Sequence, residues 1–554
     1  MFSADFFWIF SCRHSRYAPA DQAVVSHLRR RPSWDVWTNA VLTATRRPKQ
    51  SMLRFISPDP WGTTTFVRVR AASSHLLLTF VLSSTTVLAA CGRGEAPASA
   101  DAAPPALPSR PNIVFILTDD QRWDELQYMP NVQDLLQNNG VTFTNGFVSN
   151  PQCCPARATI LTGQYSGHNG VWSNTTEEHG GWETFHNNGA ESHTIATVLH
   201  GVGYYTGLVG KYMNGYRRHG DWVPPGWDTW NAFTVPNYYG LRMSIQGTEV
   251  TYPADQYQTD IIGQQAVDFI HGAPSGQPLF LYWAPYAPHL PSTPLASDKG
   301  SLASSLNPWR PPSYNESDVS DKPWYIQEID QWSSDEQAHW DQVREDRYES
   351  LIDVDRWVGN IIDALQQEGR LSNTLLVYTS DNGFLLGEHR MTGKVVPYEE
   401  SIRVPWIVRW DAANFPERGR TDSHLMLNTD FATTFAHVAG TSMGTTDGLD
   451  FANLAADPSR SWRSYFLIEH GGTVSGGAAA GLTYCGVRSQ NYSYAQYWNG
   501  FEELYDLSRD PYQLTNVTSF GYYHNVLDSI ILDAHRRIAH SLCDPVPPGF
   551  TWSH

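Results

Sequence analysis

The sequence is short of cysteine, short of positive charge and short of charge altogether. Six cysteines stand among 554 residues with no Cys-x-x-Cys pair, so neither a zinc ribbon nor a dense disulfide framework is specified. Cys485 and Cys543 can form one bridge near the C-terminus, which their separation in sequence leaves open. Lys and Arg number 38 against 56 Asp and Glu, for a net charge of -18. That balance argues against a nucleic-acid surface, which needs clustered basic side chains. An anionic substrate must instead be held by a local basic pocket, against the global field. Charged residues make up only 17% and apolar residues 41%, a globular composition in a chain long enough for two or three domains.

No apolar run is long enough for a comfortable membrane span. Residues from Met1 to about Phe66 show no clear periodicity. Arg68-Val69-Arg70 then leads into Leu76-Leu77-Leu78-Thr79-Phe80-Val81-Leu82, and the apolar stretch ends at Leu88-Ala89-Ala90-Cys91. A basic segment, a short apolar segment and small residues are the grammar of an export signal. Leu-Ala-Ala-Cys resembles a bacterial lipobox, which implies cleavage before Cys91, lipidation of its sulfur and a membrane contact by that anchor only. A plain secretory signal is the alternative. Residues 1–91 therefore read as a doubtful extension plus a lipoprotein-type signal, with the true start downstream of Met1. Residues 92–110, rich in Ala, Pro and Ser, read as a linker that buries no core.

Strand-like runs follow, each ending in polar groups. Asn112 to Leu117 is continuous and β-branched, as in a strand buried on both faces. It ends in Thr118-Asp119-Asp120. Thr374 to Ser380 repeats the pattern and ends in Asp381-Asn382-Gly383. In open α/β sheets ligands bind beyond the carboxyl ends of strands. Adjacent carboxylates there need a cation, and hard oxygens favour Ca²⁺ or Mg²⁺. A lone Asp-Asp pair is more often a turn or cap, so it is the repetition that makes Asp119, Asp120, Asp381 and Asn382 a candidate metal set. Two more runs lead to Lys211 and, through Pro285 and Pro288, to His289.

Between these runs stands Cys153-Cys154-Pro155-Ala156-Arg157-Ala158-Thr159-Ile160-Leu161-Thr162-Gly163. Pro155 suits the first position of a helix. That places the two cysteines at the positive end of the helix dipole with Arg157 in reach, a reactive-thiol arrangement. Two buried structural cysteines are the plainer reading.

The order Cys-x-Pro-x-Arg followed by Leu-Thr-Gly resembles the signature of the type I sulfatases, within the alkaline phosphatase superfamily. Ala156 replaces the usual Ser. The resemblance covers roughly Pro111 to Cys543 and implies that Cys153 is oxidised by a formylglycine-generating enzyme, its hydrate being the nucleophile. It also implies that Asp119, Asp120, Asp381, Asn382 and the modified Cys153 hold Ca²⁺, with Mg²⁺ as the other fitting ion. Lys211 takes the place of the lysine that holds formylglycine, His289 of the histidine at the ester oxygen, and Lys394, in Gly387-Glu388-His389-Arg390-Met391-Thr392-Gly393-Lys394, of the sulfate-binding lysine. His389 is a further pocket candidate; His168 reads as structural. Many family members carry His two residues after the lysine, whereas this chain has Lys211-Tyr212-Met213-Asn214. Asn214 is a pocket candidate that can orient a hydroxyl but cannot accept a proton at neutral pH, which leaves the base for sulfate release unassigned. Gly-Lys-Tyr-x-Asn and the doubled cysteine resemble the N-acetylglucosamine-6-sulfatase branch, which implies an O-sulfated sugar as substrate.

The implied fold is α/β, a large, mostly parallel mixed sheet sandwiched by helices in a catalytic domain at 111–444. A small antiparallel sheet with a helix follows at 445–554, with strands at Ser464–His470 and Thr483–Trp498 and a helix at Tyr522–Leu542. A helical stripe is expected over Leu351–Leu365. Rival readings are a phosphodiesterase or phosphonate monoester hydrolase of the same superfamily, or a silent glycan-binding lipoprotein.

Overall fold

The apolar run at Asn112–Thr118 (β1) forms the middle of a ten-stranded sheet in the computed structural model of the chain. The structure describes residues 107–108, 110–472, 482–518 and 526–553. The signal-like stretch, Cys91 and the linker up to residue 106 lie outside them. The other strands are Val141–Phe147 (β2), Tyr205–Gly210 (β3), Thr229–Val235 (β4), Arg242–Ile245 (β5), Thr248–Thr251 (β6), Leu279–Ala284 (β7), Thr374–Ser380 (β8), Trp406–Arg409 (β9) and Arg420–Leu427 (β10). Their spatial order is β10-β2-β9-β8-β1-β7-β3-β4-β5-β6. The central strands β8, β1, β7, β3 and β4 are mutually parallel, while β9 and the β5–β6 hairpin run antiparallel to their neighbours. The result is the large mixed, mostly parallel sheet expected.

Alternation along β1 explains why the sheet is covered on both faces. Ile113, Phe115 and Leu117 point into one core, shared with Ala158 and Leu161 of Cys153–Thr162 (α1) and with Phe431 and Phe435 of Asp430–Val438 (α4). Val114 and Ile116 point into the other. There they meet Ile262 and Phe269 of Gln258–Gly272 (α2) and Val354, Val358 and Ile361 of Ser334–Gln367 (α3). Period-2 side-chain alternation on a strand with two apolar faces requires helices on both sides.

Helix α3 is longer than its apolar stripe. It starts at Ser334, where the Ser333 hydroxyl accepts from the Glu336 N–H and the Glu336 carboxylate accepts from the Ser333 N–H. This capping box adds more than four turns ahead of Leu351. Those turns are polar, which is why apolar periodicity alone missed them.

A four-stranded antiparallel sheet follows: Tyr465–His470 (β11), Tyr484–Ser489 (β12), Tyr492–Tyr497 (β13) and Glu502–Asp506 (β14). The single run expected over Thr483–Trp498 is a hairpin, β12 and β13. Helix α5 occupies Val526–Leu542; Tyr522–Asn525 lie outside the described residues. Cys485 and Cys543 are bridged, tying β12 to the end of α5. The two sheets share a core in which Phe147, Leu425 and Leu427 pack with Phe466, Ile468 and Tyr484. No helix among the described residues is long and apolar enough to cross a membrane.

Candidate active site

The carboxyl ends of the parallel strands deliver the site. Asp119 and Asp120 follow β1, Lys211 follows β3, His289 follows β7 by five residues, and Asp381 and Asn382 follow β8. Asp120 has φ 68, a left-handed conformation that a non-glycine residue adopts at a cost. Two contacts fix it: its N–H donates to Asp381 Oδ1 at 3.1 Å, and its carbonyl accepts from Arg347 Nη2 at 2.6 Å. Gly383 lets the β8 loop close, because a Cβ there would lie 2.1 Å from the Glu400 carbonyl oxygen.

Helix α1 starts at Cys153, two residues before Pro155. Proline is tolerated there because a first-turn N–H has no intrahelical partner, and Gly163 at φ 71 closes the helix. Cys153 thus sits at the helix N-terminus, 1% exposed, its thiol 3.6 Å from Asp119 Oδ1 and 2.8 Å from Lys394 Nζ. Arg157, one turn on, turns back into the same space. Its Nε donates to Asp381 Oδ2 at 2.8 Å and its Nη1 to the Lys211 carbonyl at 2.7 Å, while Nη2 has no hydrogen-bond partner among the described residues. Lys211 Nζ bonds to Asp119, Lys394 Nζ to Asp120, and His289 Nε2 lies 3.7 Å from Asp120 Oδ2.

Nine of the residues singled out from sequence therefore meet in one place: Asp119, Asp120, Cys153, Arg157, Lys211, His289, Asp381, Asn382 and Lys394. Two do not join them. The carbonyl of Asn214 accepts from Trp182 N–H, and its Oδ1 has no hydrogen-bond partner among the described residues. His389 is fully buried, bonded through Nδ1 to Glu316 and stacked on Tyr398 at 4.3 Å. His168, held by Asp447 at 2.7 Å with its side chain 43% exposed, is structural. Sequence reasoning missed Arg347, which grips both Asp120 and Glu125, because it lies in the polar early turns of α3. The capping box was the signal that could have found it. It also missed Tyr286, whose ring stacks on His289 at 4.5 Å.

Burial and crowding of charge set the electrostatics. Burial opposes ionisation of Asp119, yet Lys211, His289, Arg157 and Lys394 hold it well below the usual carboxylate range. Burial opposes ionisation of Asp120 as well, yet Lys394, His289 and Lys211 together lower it. Burial and the neighbouring Asp119 push Asp381 up to about 6, with Arg157 offsetting part of the rise. The reactive thiol expected at a helix N-terminus is not what the fold provides. Burial pushes the Cys153 thiol up to about 11, and the two lysines compensate only in part. As a thiol this sulfur is a poor nucleophile at neutral pH. Burial moves His289 downward, against the pull of Asp120 and Asp119.

The donor set fits a hard divalent cation. Ligand atoms of Asp119, Asp120, Cys153 and His289 lie within 4.8 Å of one another. Asn382 supplies the telling atom: its amide nitrogen donates to Asp120 Oδ1 at 2.7 Å, and its buried Oδ1 has no hydrogen-bond partner among the described residues. An orphaned buried carbonyl oxygen beside three carboxylates is what oxygen ligation by Ca²⁺ or Mg²⁺ uses.

Comparison with known proteins agrees with this geometry. The sulfatase family model matches residues 111–441, and the model described as N-sulphoglucosamine sulphohydrolase, C-terminal, matches residues 387–539. The chain is similar to the human N-acetylglucosamine-6-sulfatase, 30% identical over 74% of this chain and 81% of that one. It is 30% identical to the extracellular sulfatase SULF-1 homolog of Drosophila melanogaster over 66% of this chain. The match spans only 33% of that protein's length, and about half, 53%, of the length of a Caenorhabditis elegans counterpart. In fold it resembles BT4656, solved with its substrate D-glucosamine-2-N,6-O-disulfate, at a TM-score of 0.67 and 23% identity, over 79% of this chain and 99% of that one. On the signature at Cys153, the strand-end residues gathered around it and these matches, the chain belongs to the sulfatase family.

Proposed function

We propose that this chain hydrolyses sulfate esters of sugars, with a substrate of the N-acetylglucosamine 6-sulfate kind. The single observation that carries the reading is the convergence of Cys153 with the carboxylates, two lysines and a histidine in one buried pocket. The similarity to N-acetylglucosamine-6-sulfatases supports the sugar. We further infer that Cys153 is converted to formylglycine by a maturation enzyme, and that the hydrate supplies an attacking oxygen and a second hydroxyl that later expels sulfate. The raised thiol value agrees, since an unmodified Cys153 would be neither ionised nor able to release a bound sulfate.

Asp119, Asp120, Asp381 and Asn382 Oδ1 would hold Ca²⁺ or Mg²⁺, which lowers the cost of an oxyanion at position 153. Arg157 stays charged through Asp381 and fixes the Lys211 loop through its carbonyl. Lys211 and Lys394 each carry three donors, of which the carboxylates use only some; the remainder face sulfuryl oxygens and offset their growing charge. His289 presents Nε2 to the pocket and gives its proton to the departing alcohol; its lowered value makes the imidazolium a readier donor.

Residues 111–444 form the catalytic part of this proposal and 445–554 a smaller C-terminal part. The Leu88-Ala89-Ala90-Cys91 sequence supports export with a lipid anchor on Cys91, in keeping with extracellular relatives. The test is the mass of the tryptic peptide containing Cys153 from the native host, with assays on N-acetylglucosamine 6-sulfate and on a phosphodiester. A formylglycine mass with sulfate release is expected. An unmodified thiol in active enzyme, or turnover of the phosphodiester alone, would overturn it.

A further inference from the structure

His289 is held by more than its place in the chain. Its Nδ1 lies 2.7 Å from the Leu290 carbonyl oxygen. A carbonyl only accepts, so Nδ1 carries the hydrogen, and Nε2 is the one ring nitrogen left to exchange a proton with the pocket. The same Leu290 oxygen accepts a second hydrogen bond, from the Tyr286 hydroxyl at 3.1 Å. The Tyr286 ring lies against the imidazole with centroids 4.5 Å apart and planes 25° apart. The Lys211 ammonium sits 5.6 Å from the same ring. Behind the histidine, Tyr238 donates to the His289 carbonyl at 2.7 Å.

Tyr286 thus meets His289 in two independent ways, by stacking on its ring and by sharing its hydrogen-bond acceptor. It also reaches Lys211, the cation on Asp119. A merely packing aromatic would need none of this alignment, and Tyr286, like His289, is only half-buried. We propose that Tyr286 is the positioning residue for His289, holding the imidazole in its Nδ1–H form with Nε2 presented to the ester oxygen of the substrate. The proposal rests on the sulfatase reading for its chemistry. In that form Nε2 is an acceptor, so it first takes a proton from solvent to give the imidazolium. As the sulfuryl group passes to the attacking oxygen at position 153, the ester sulfur–oxygen bond breaks and its bonding pair stays on the ester oxygen. The Nε2 proton follows it, and alcohol and the neutral Nδ1–H imidazole result.

Leaving-group dependence separates this role from a structural one. A sugar alcohol needs the proton and 4-nitrophenolate does not. Tyr286→Leu removes both contacts, while Tyr286→Phe keeps the stack. In the matured full-length enzyme, Tyr286→Leu is expected to lower kcat/KM on N-acetylglucosamine 6-sulfate at least about tenfold more than on 4-nitrophenyl sulfate. Tyr286→Phe should lose less on the sugar. A readout that needs no turnover is the tautomer of His289, from long-range ¹⁵N spectra of histidine-labelled protein assigned with His289→Gln. Wild type should show Nδ1–H and Tyr286→Leu a population of Nε2–H. Equal losses on both substrates, or an unchanged tautomer in Tyr286→Leu, would overturn the proposal. Should wild type cleave neither sulfate ester, the sulfatase reading fails and the tautomer alone decides the role of Tyr286.

Discussion

The two ends of the same parallel strands teach opposite lessons about polar residues. At the amino ends Arg370 donates to Asn112 Oδ1 and to the carbonyls of Gln277, Ala273 and Pro274. Asn112 in turn bonds to the carbonyl of Asn373 and accepts from the Leu279 N–H. Every charge there is spoken for within the fold, and the network staples β1, β7 and β8 together. At the carboxyl ends Arg157 Nη2 and Asn382 Oδ1 have no hydrogen-bond partner among the described residues, inside a knot of three carboxylates and two ammoniums. Buried polar atoms left unmatched are costly. A fold that keeps them beside concentrated charge is shaped for something it binds. At these two ends satisfaction goes with structure, and a deficit beside concentrated charge goes with the site.

That contrast can be broken by substitution. The largest effect belongs to Cys153→Ala, which should fold yet lose sulfate-ester turnover on the order of 10⁵-fold, read as sulfate release. Full activity in this variant would remove the carboxyl-end pocket from the chemistry. Next comes Asn382→Leu, which deletes the orphaned oxygen; calorimetric titration with Ca²⁺ should show affinity reduced by about 10–100-fold. Glu469 sharpens the rule. Its Oε1 accepts from Ser166 N–H at 2.7 Å while its buried Oε2 has no hydrogen-bond partner among the described residues. With no cation beside it, burial simply pushes it up to about 8. The folded state therefore binds a proton that the unfolded state has already released. Stability is full below the ordinary Glu range and falls as pH rises toward 8, by about 1 kcal/mol per pH unit between pH 6 and 8. Glu469→Gln should flatten that slope in urea denaturation. The smallest effect is at the amino ends, where Arg370→Ala should cost about 1–2 kcal/mol of stability and leave kcat per folded molecule alone. A loss of kcat there would erase the distinction between the two ends.

What the sequence disclosed follows from how it encodes position. Asp119, Lys211 and Asp381 each follow an apolar β-branched run, and strand ends in a parallel sheet share one edge, so their meeting was legible. The beginning of α3 was not, because its first turns are held by a capping box and solvent rather than by an apolar face. Arg347 was lost with it. Tyr286 was passed over because a stack on His289 is a matter of orientation, which no spacing reveals. The thiol was misjudged for a related reason: a helix terminus and an arginine are visible in sequence, whereas the depth that raises Cys153 is not.

Strand β1 has one last consequence, for the order of events as the chain is made. Its partners are β7, more than 160 residues on, and β8, more than 250 residues on. Pairings of such long range close late and slowly. Until residue 285 or so has emerged the run Ile113–Leu117 has neither neighbour, and until residue 380 or so it still lacks β8. In the folded chain Cys153 is 1% exposed, enclosed among groups from as far along as Asp381 and Lys394. An agent that alters its sulfur meets it most readily before those residues have folded around it, an order that the topology of the sheet sets.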